Sequence, residues 1–339
     1  MTNKKHSISV IGDGSWGTTL AVYLAKAGHR VSLWGAFEEN VTAMNEHREN
    51  RAFLPEVELP RTIEPTADLT TALNHGNIIV LGVPSQYLRG VLQQIADVRS
   101  QETIDFKTRS FLSIVKGIDP DDLLRMSQLI RKFLGPVKLG VLSGPTIAKE
   151  LVKNIPSTAV IASRDEQLAR DLQSVFNSDT FRIYTNDDVC GVELGGSLKN
   201  VIAIACGVAD GLNLGTNTKS AILARGLAEM SRLGQTMGAK KQTFYGLTGL
   251  GDLATTCFSE HSRNRRVGEL LGSGKSIKEI LEHMSMVAEG VETVKAVVRL
   301  ADQHGVDMPI AAEVYNLIYQ KSSPRQALKA LMTRKTRSE

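Results

Sequence analysis

Ser7-Ile8-Ser9-Val10-Ile11-Gly12-Asp13-Gly14-Ser15-Trp16-Gly17 is the stretch that decides how the first half of this chain folds. A short β-prone run enters G-x-G-x-x-G, and a helical pattern follows over Ser15–Lys26. A strand, a tight glycine turn and a helix together hold a dinucleotide pyrophosphate. Gly12 permits the turn, Gly14 lets the backbone approach the phosphates, and Gly17 lets the helix pack on the strand with its N-terminus facing the anion. With 29 glycines in the chain, a plain glycine-rich turn is the competing explanation. The strand before and the helix after favour the dinucleotide site.

Outward from this unit, short apolar runs alternate with helical patterns. Strands are predicted over Ser7–Ile11, Val31–Trp34, Ile78–Gly82, Phe111–Val115, Lys138–Leu142 and Ala159–Ala162, with helices such as Ser15–Lys26, Ser85–Ile95 and Pro120–Phe133 between them. The runs mostly lack period-2 alternation, as expected of strands buried on both faces of a parallel sheet. The fold class is therefore an α/β, Rossmann-like, doubly wound sheet at the N-terminus. After Asn186 the β signal fades and helical patterns follow one another, including Val189–Val208, Thr218–Leu233 and Ser262–Leu271. The expected organisation is a dinucleotide-binding domain over residues 1–186 and an all-α substrate and catalytic domain over 187–339.

The composition narrows the function class. The 339 residues carry 40 basic and 36 acidic side chains, a net charge of +4, too mild to argue for nucleic acid. Three cysteines without C-x-x-C spacing read as reduced thiols in a cytosolic protein, not as a disulfide framework or a metal site. No apolar run is expected to approach the roughly 18–20 residues of a membrane span.

Ligands of open α/β sheets sit beyond the carboxyl ends of the strands. Those ends supply the glycine loop, Gly82-Val83-Pro84-Ser85-Gln86, Lys116-Gly117 and Ser143-Gly144-Pro145-Thr146. Lys116 is either a solvated edge residue or a side chain aimed into the ligand crevice. In the second half, Val192–Ala205 is apolar on nearly every face except at Lys199. A buried ammonium must pair or lower its pKa, so Lys199 is either a proton-transfer group or half of a structural ion pair with Glu193 or Asp252. Gly246–Leu253 reads first as a flexible turn capped by Asp252 and second as close packing around an oriented carboxylate. Ser262-Arg263-Asn264-Arg265-Arg266 puts three arginines in a first helical turn, against the helix dipole. A bound phosphate or a solvated basic patch would account for them.

Taken in order, Gly12–Gly17 with Trp16, Ile114-Val115-Lys116-Gly117, Ser143–Glu150, Gly195-Gly196-Ser197-Leu198-Lys199-Asn200, Gly249-Leu250-Gly251-Asp252-Leu253 and Ser262–Arg266 closely resemble bacterial NAD(P)-dependent sn-glycerol-3-phosphate dehydrogenases, over essentially the whole chain. The resemblance implies reversible, NAD(P)H-dependent reduction of dihydroxyacetone phosphate to glycerol 3-phosphate in the cytoplasm, for phospholipid synthesis, by a homodimer. It implies cofactor contacts from Ser15, Trp16, Ala148, Val287 and Glu289. Lys116 would touch both cofactor and substrate, and Gly144 and Thr146 would bind substrate. Lys199 would be the general acid/base, with Asp252 beside it and Asn200 and Thr256 in the surrounding network. Ser262, Arg263 and Asn264 would bind the substrate, Arg263 also facing the cofactor.

One position departs from the family pattern. Trp34 lies 17 residues past Gly17, about where an NAD enzyme places the acid that holds a ribose hydroxyl. Leu33-Trp34-Gly35-Ala36 has no acid there, nor the Arg or His of many relatives. Ala36 occupies the site, Glu38 and Glu39 follow, and Arg51 is a distant candidate for a 2′-phosphate. The resemblance leans towards NADPH, which this position does not support, so the cofactor is NADP(H), NAD(H) or both. Two other readings stay open: a related two-domain hydroxy-acid dehydrogenase, and a non-catalytic NAD(P)H sensor.

Overall fold

The computed structural model describes residues 5–102, 104–284 and 287–335. Among the described residues ten strands occur, β1 (Ser7–Ile11), β2 (Arg30–Trp34), β3 (Glu49–Asn50), β4 (Leu54–Glu58), β5 (Ile63–Thr66), β6 (Ile78–Leu81), β7 (Ser110–Ser113), β8 (Lys138–Ser143), β9 (Ser157–Ala162) and β10 (Phe181–Asn186). Eight of them form one sheet in the order β10-β9-β8-β7-β6-β1-β2-β5. The chain starts in the middle, builds outward through β2 to β5, then returns to the other side of β1 through β6. The order reverses between β1 and β6, and a crevice opens at that switch point beyond the carboxyl ends of both strands.

The apolar runs behave as their composition requires. Ile78–Leu81 is buried along its whole length, and one core layer forms on each face of the sheet. The sheet is not wholly parallel, as the sequence had suggested. β8 and β9 pair antiparallel, Val141 opposite Ala162, while β9 and β10 are parallel. The β8–β9 connection holds only the five-residue helix Ala148–Val152, which packs against the Ser15–Lys26 helix instead of crossing the sheet. β10 escaped prediction because it is an edge strand. Phe181 and Ile183 face inward while Arg182 and Tyr184 face out.

The helix expected from Pro120 begins at Met126. Asp119, Asp121 and Asp122 gather around the Arg89 guanidinium at 2.6, 3.3 and 2.5 Å, and Leu123 adopts φ of 57°. Those contacts hold the segment out of helical geometry.

From Val189 onward the described residues form helices. Val189–Gly211 runs through their middle, buried on nearly every side, with Gly215–Thr236, Asp252–Phe258, Arg263–Gly272 and Glu289–Gln303 packed round it. By length and composition this helix could cross a membrane, contrary to the expectation that no run approaches that length. It is instead the core helix, with 89% of its apolar stretch buried inside the protein. Gly207 and Gly268 let the crossing helix come close. A Cβ on Gly268 would lie 1.9 Å from the Ile204 carbonyl oxygen. That contact holds the start of Arg263–Gly272 over the cleft.

Candidate active site

The crevice at the switch point continues into a cleft of about 430 Å³ walled by the strand ends on one side and the helices on the other. Gly14, Ser15, Trp16, Lys116, Thr146, Ala148, Lys199, Asn200, Asp252, Thr256, Ser262, Arg263, Asn264, Val287 and Glu289 all line it. Gly12 and Gly17 lie behind this surface and shape it. A Cβ on Gly12 would meet the Val83 nitrogen at 2.7 Å, and one on Gly17 the Gly12 oxygen at 2.0 Å. A Cβ on Gly14 would meet nothing within 4 Å, so the backbone there is open to a ligand. This open face at a helix N-terminus fits a pyrophosphate. Gly144 is outside the lining but touches it through its carbonyl, and Ala36, exposed just past the end of β2, is also outside the lining.

At the floor sits a three-membered charge cluster. Lys199 is 6% exposed and Asp252 1%. Lys199 Nζ donates to Asp252 Oδ1 and, at 2.7 Å, to the Thr256 hydroxyl. Lys116 Nζ donates to the other carboxylate oxygen at 2.7 Å and to the Gly144 carbonyl at 3.1 Å. One carboxylate therefore serves two ammonium groups. Burial pulls the Lys199 pKa down to about 8, with Asp252 opposing the fall and Lys116 assisting it. Of the two acids considered for Lys199, the structure selects Asp252. Glu193 instead accepts from the Ser127 backbone and hydroxyl at 2.6 and 2.7 Å and pairs with Arg125.

Gly246–Leu253 is not the flexible turn that was expected. Leu247–Gly251 forms a single π-helical turn that runs directly into Asp252–Phe258. A Cβ on Gly195 would lie 2.4 Å from the Thr248 carbonyl oxygen, so this turn lies against the core helix. Asp252 then starts its helix within hydrogen-bonding reach of Lys199, and the Thr256 hydroxyl donates back to the Asp252 carbonyl at 2.7 Å.

The three arginines divide. Arg265 pairs with Asp210 at 2.6 Å and Arg266 with Glu269 at 2.8 Å. Arg263 makes no hydrogen bond or ion pair among the described residues and lines the cleft, with the Glu289 carboxyl as its charged neighbour there. Ser262 caps the helix by accepting from the Arg265 backbone at 3.2 Å, and Asn264 accepts from the Gly290 backbone at 2.9 Å. Glu289 has its carboxyl pKa raised by burial, partly offset by Arg263. Two buried donors on the cleft wall, Asn200 Nδ2 and Trp16 Nε1, lack partners among the described residues. Such groups are costly unless a ligand satisfies them. Sequence reasoning missed His261, Ser259 and Thr255, which also line the cleft. The position of His261 next to the Ser262 cap was the available signal.

A Rossmann-type sheet, an open glycine loop and a desolvated lysine–carboxylate pair meeting in one cleft define a nicotinamide-dependent dehydrogenase. Comparison with known proteins narrows the class. Residues 7–169 match the N-terminal part, and residues 188–329 the C-terminal part, of NAD-dependent glycerol-3-phosphate dehydrogenase. This chain belongs to that family. It is 46% identical to the glycerol-3-phosphate dehydrogenase [NAD(P)+] of Moorella thermoacetica over 97% of this chain and 96% of the other. It is 47% identical to that of Geobacter metallireducens over 98% of each. The crystal structure of glycerol-3-phosphate dehydrogenase from Coxiella burnetii superposes with a TM-score of 0.93 at 37% identity, covering 97% of this chain and 99% of that one.

Proposed function

We propose that this chain catalyses the reversible, NAD(P)H-dependent reduction of dihydroxyacetone phosphate to sn-glycerol 3-phosphate. The observation that carries the mechanism is the Lys199–Asp252–Lys116 cluster at the floor of the cleft. When bound, the nicotinamide carrier supplies the hydride. Lys199 holds the proton that goes to the substrate C2 oxygen during reduction and takes it back during oxidation. A lysine with a pKa near 8 can do both near neutral pH. Asp252 orients the Lys199 ammonium and keeps it charged despite burial. Lys116 shares the carboxylate and brings positive charge to the developing alkoxide. Asn200 offers its unpartnered amide to the substrate. Arg263, with Ser262 and Asn264 fixing the helix start, takes the phosphate. Gly144 and Thr146 complete the substrate side, and Ser15, Trp16, Ala148, Val287 and Glu289 the cofactor side.

The unpaired Arg263 favours a phosphorylated substrate over a plain hydroxy acid, and a buried acid/base is surplus to a sensor. The family resemblance adds a homodimer acting in the cytoplasm to supply phospholipid synthesis, with the dimer checked by light scattering. The deciding experiment is Lys199→Ala. Turnover of dihydroxyacetone phosphate is expected to fall by at least about a hundredfold, the contribution of general acid–base catalysis, while cofactor binding persists. Near-normal turnover would remove Lys199 from the chemistry. Preference for a non-phosphorylated hydroxy acid would move the chain to another substrate class.

A further inference from the structure

Asp13 stands between the first two glycines of the loop, and nothing in the mechanism uses it. Its side chain extends to the carboxyl end of β2. A Cβ on Gly35 would lie 2.5 Å from Asp13 Oδ2, so the carboxylate rests directly against the Gly35 backbone. Asn40 Nδ2 donates to that oxygen at 2.7 Å. The Asp13 carbonyl accepts from Asn50 Nδ2 at 2.7 Å and from the Thr18 hydroxyl at 2.8 Å. The loop and its carboxylate are thus fixed in place, and Asp13 is 7% exposed.

Dinucleotide folds discriminate their cofactors at this strand end. An acid there accepts from the ribose 2′-hydroxyl of NAD, whereas NADP enzymes supply a cation for the 2′-phosphate. In sequence, β2 ends Trp34-Gly35-Ala36 without an acid. In space, Asp13 fills that position from the neighbouring loop, and Gly35 is the residue that leaves room for it. No ammonium or guanidinium bonds the Asp13 carboxylate among the described residues. Arg51 pairs with Glu49 at 3.2 Å with its side chain 62% exposed, and Glu38 and Glu39 occupy the first turn of the helix that follows.

Resting on the NAD(P)H-linked function above, we propose that Asp13 is the acceptor for the ribose 2′-hydroxyl and that this chain selects NADH over NADPH. A 2′-phosphate would bring a second anion against a fixed carboxylate, with two further glutamates on the adjacent helix turn. Like-charge juxtaposition of this kind discriminates strongly.

The test is calorimetric titration of the substrate-free chain with NADH, NADPH and 2′-deoxy-NADH, repeated on Asp13→Asn. Wild type is expected to bind NADH about tenfold or more tighter than NADPH, and about fivefold or more tighter than the 2′-deoxy analogue. Asp13→Asn, which keeps shape and removes charge, is expected to bring the NADH-to-NADPH ratio to about threefold or less, chiefly by tightening NADPH. Equal or tighter binding of NADPH by wild type overturns the inference and leaves the function standing. An unchanged ratio in a folded Asp13→Asn chain, or equal affinity for the 2′-deoxy analogue, takes the role away from Asp13. The wild-type titrations alone decide the matter if the variant does not fold. Failure of wild type to bind any of the three would sink the proposed function together with this inference.

Discussion

Replacing Asp252 by Asn tests the charge cluster most sharply. The amide keeps the volume but offers one acceptor oxygen where two ammonium groups need two, and turns its own donors toward one of them. Lys116, with 14% of its side chain exposed, can turn toward water, while Lys199, at 8%, cannot. Removing one partner of a buried pair costs about 3–5 kcal/mol when the other charge is stranded. Lys199 has a way out. Because its pKa is already about 8, releasing its proton at pH 7 costs about 1.4 kcal/mol. That release caps its share of the penalty, and the lost Lys116 contact adds about 1 kcal/mol. The net loss expected at pH 7 is therefore about 2 kcal/mol, read by urea unfolding. Asp252 is the group that raises the Lys199 pKa, so in the variant that pKa falls further, while the unfolded lysine stays near 10.5. The variant needs Lys199 neutral where wild type carries it charged, so the stability deficit is largest below pH 8 and shrinks by pH 9. In the same variant, the pH at which reduction begins to fail moves down by at least about one unit. A stability loss below about 0.5 kcal/mol at pH 7, or an alkaline limb left where it was, would refute the reasoning.

Three further outcomes are expected. In wild type, kcat/KM for dihydroxyacetone phosphate reduction falls above pH about 8 as Lys199 loses its proton, and glycerol 3-phosphate oxidation falls below it; initial rates from pH 6 to 10 in both directions check this. Arg263→Gln raises the KM for dihydroxyacetone phosphate by about ten- to a hundredfold, the worth of a charge-assisted phosphate contact, with a smaller effect on kcat; equal loss of both would place Arg263 in the chemical step. Gly268→Ala forces a methyl group to within 1.9 Å of the Ile204 carbonyl unless the helices part, and is expected to cost about 3 kcal/mol in urea unfolding.

The nucleotide-binding half was legible because its signals are local. A strand, three spaced glycines and a helix fall within Ser7–Lys26, and buried parallel strands announce themselves as unbroken apolar runs. Lys199 was also visible, as a charge deep in an apolar helix. The edge strand β10, the reversal at β9 and the delayed helix after Asp119 were not visible. Each depends on what a segment packs against, and Arg89 with its carboxylates outweighed a local helical pattern.

Local patterns along the chain settle the central strand-loop-helix unit, the helical character of the second half, the family and most of the residues that line the cleft. How the charges pair is left to packing between distant segments. Of Glu193 on its own helix and Asp252, 53 positions on, the packing brought the second to Lys199. Lys116 joined the same carboxylate from 136 positions away. Asp13 likewise reached the end of β2 only through the approach of Gly35. A buried charge is satisfied by whichever partner the backbone brings within about 3 Å, and that distance is set by the packing of distant segments, on which local sequence is silent.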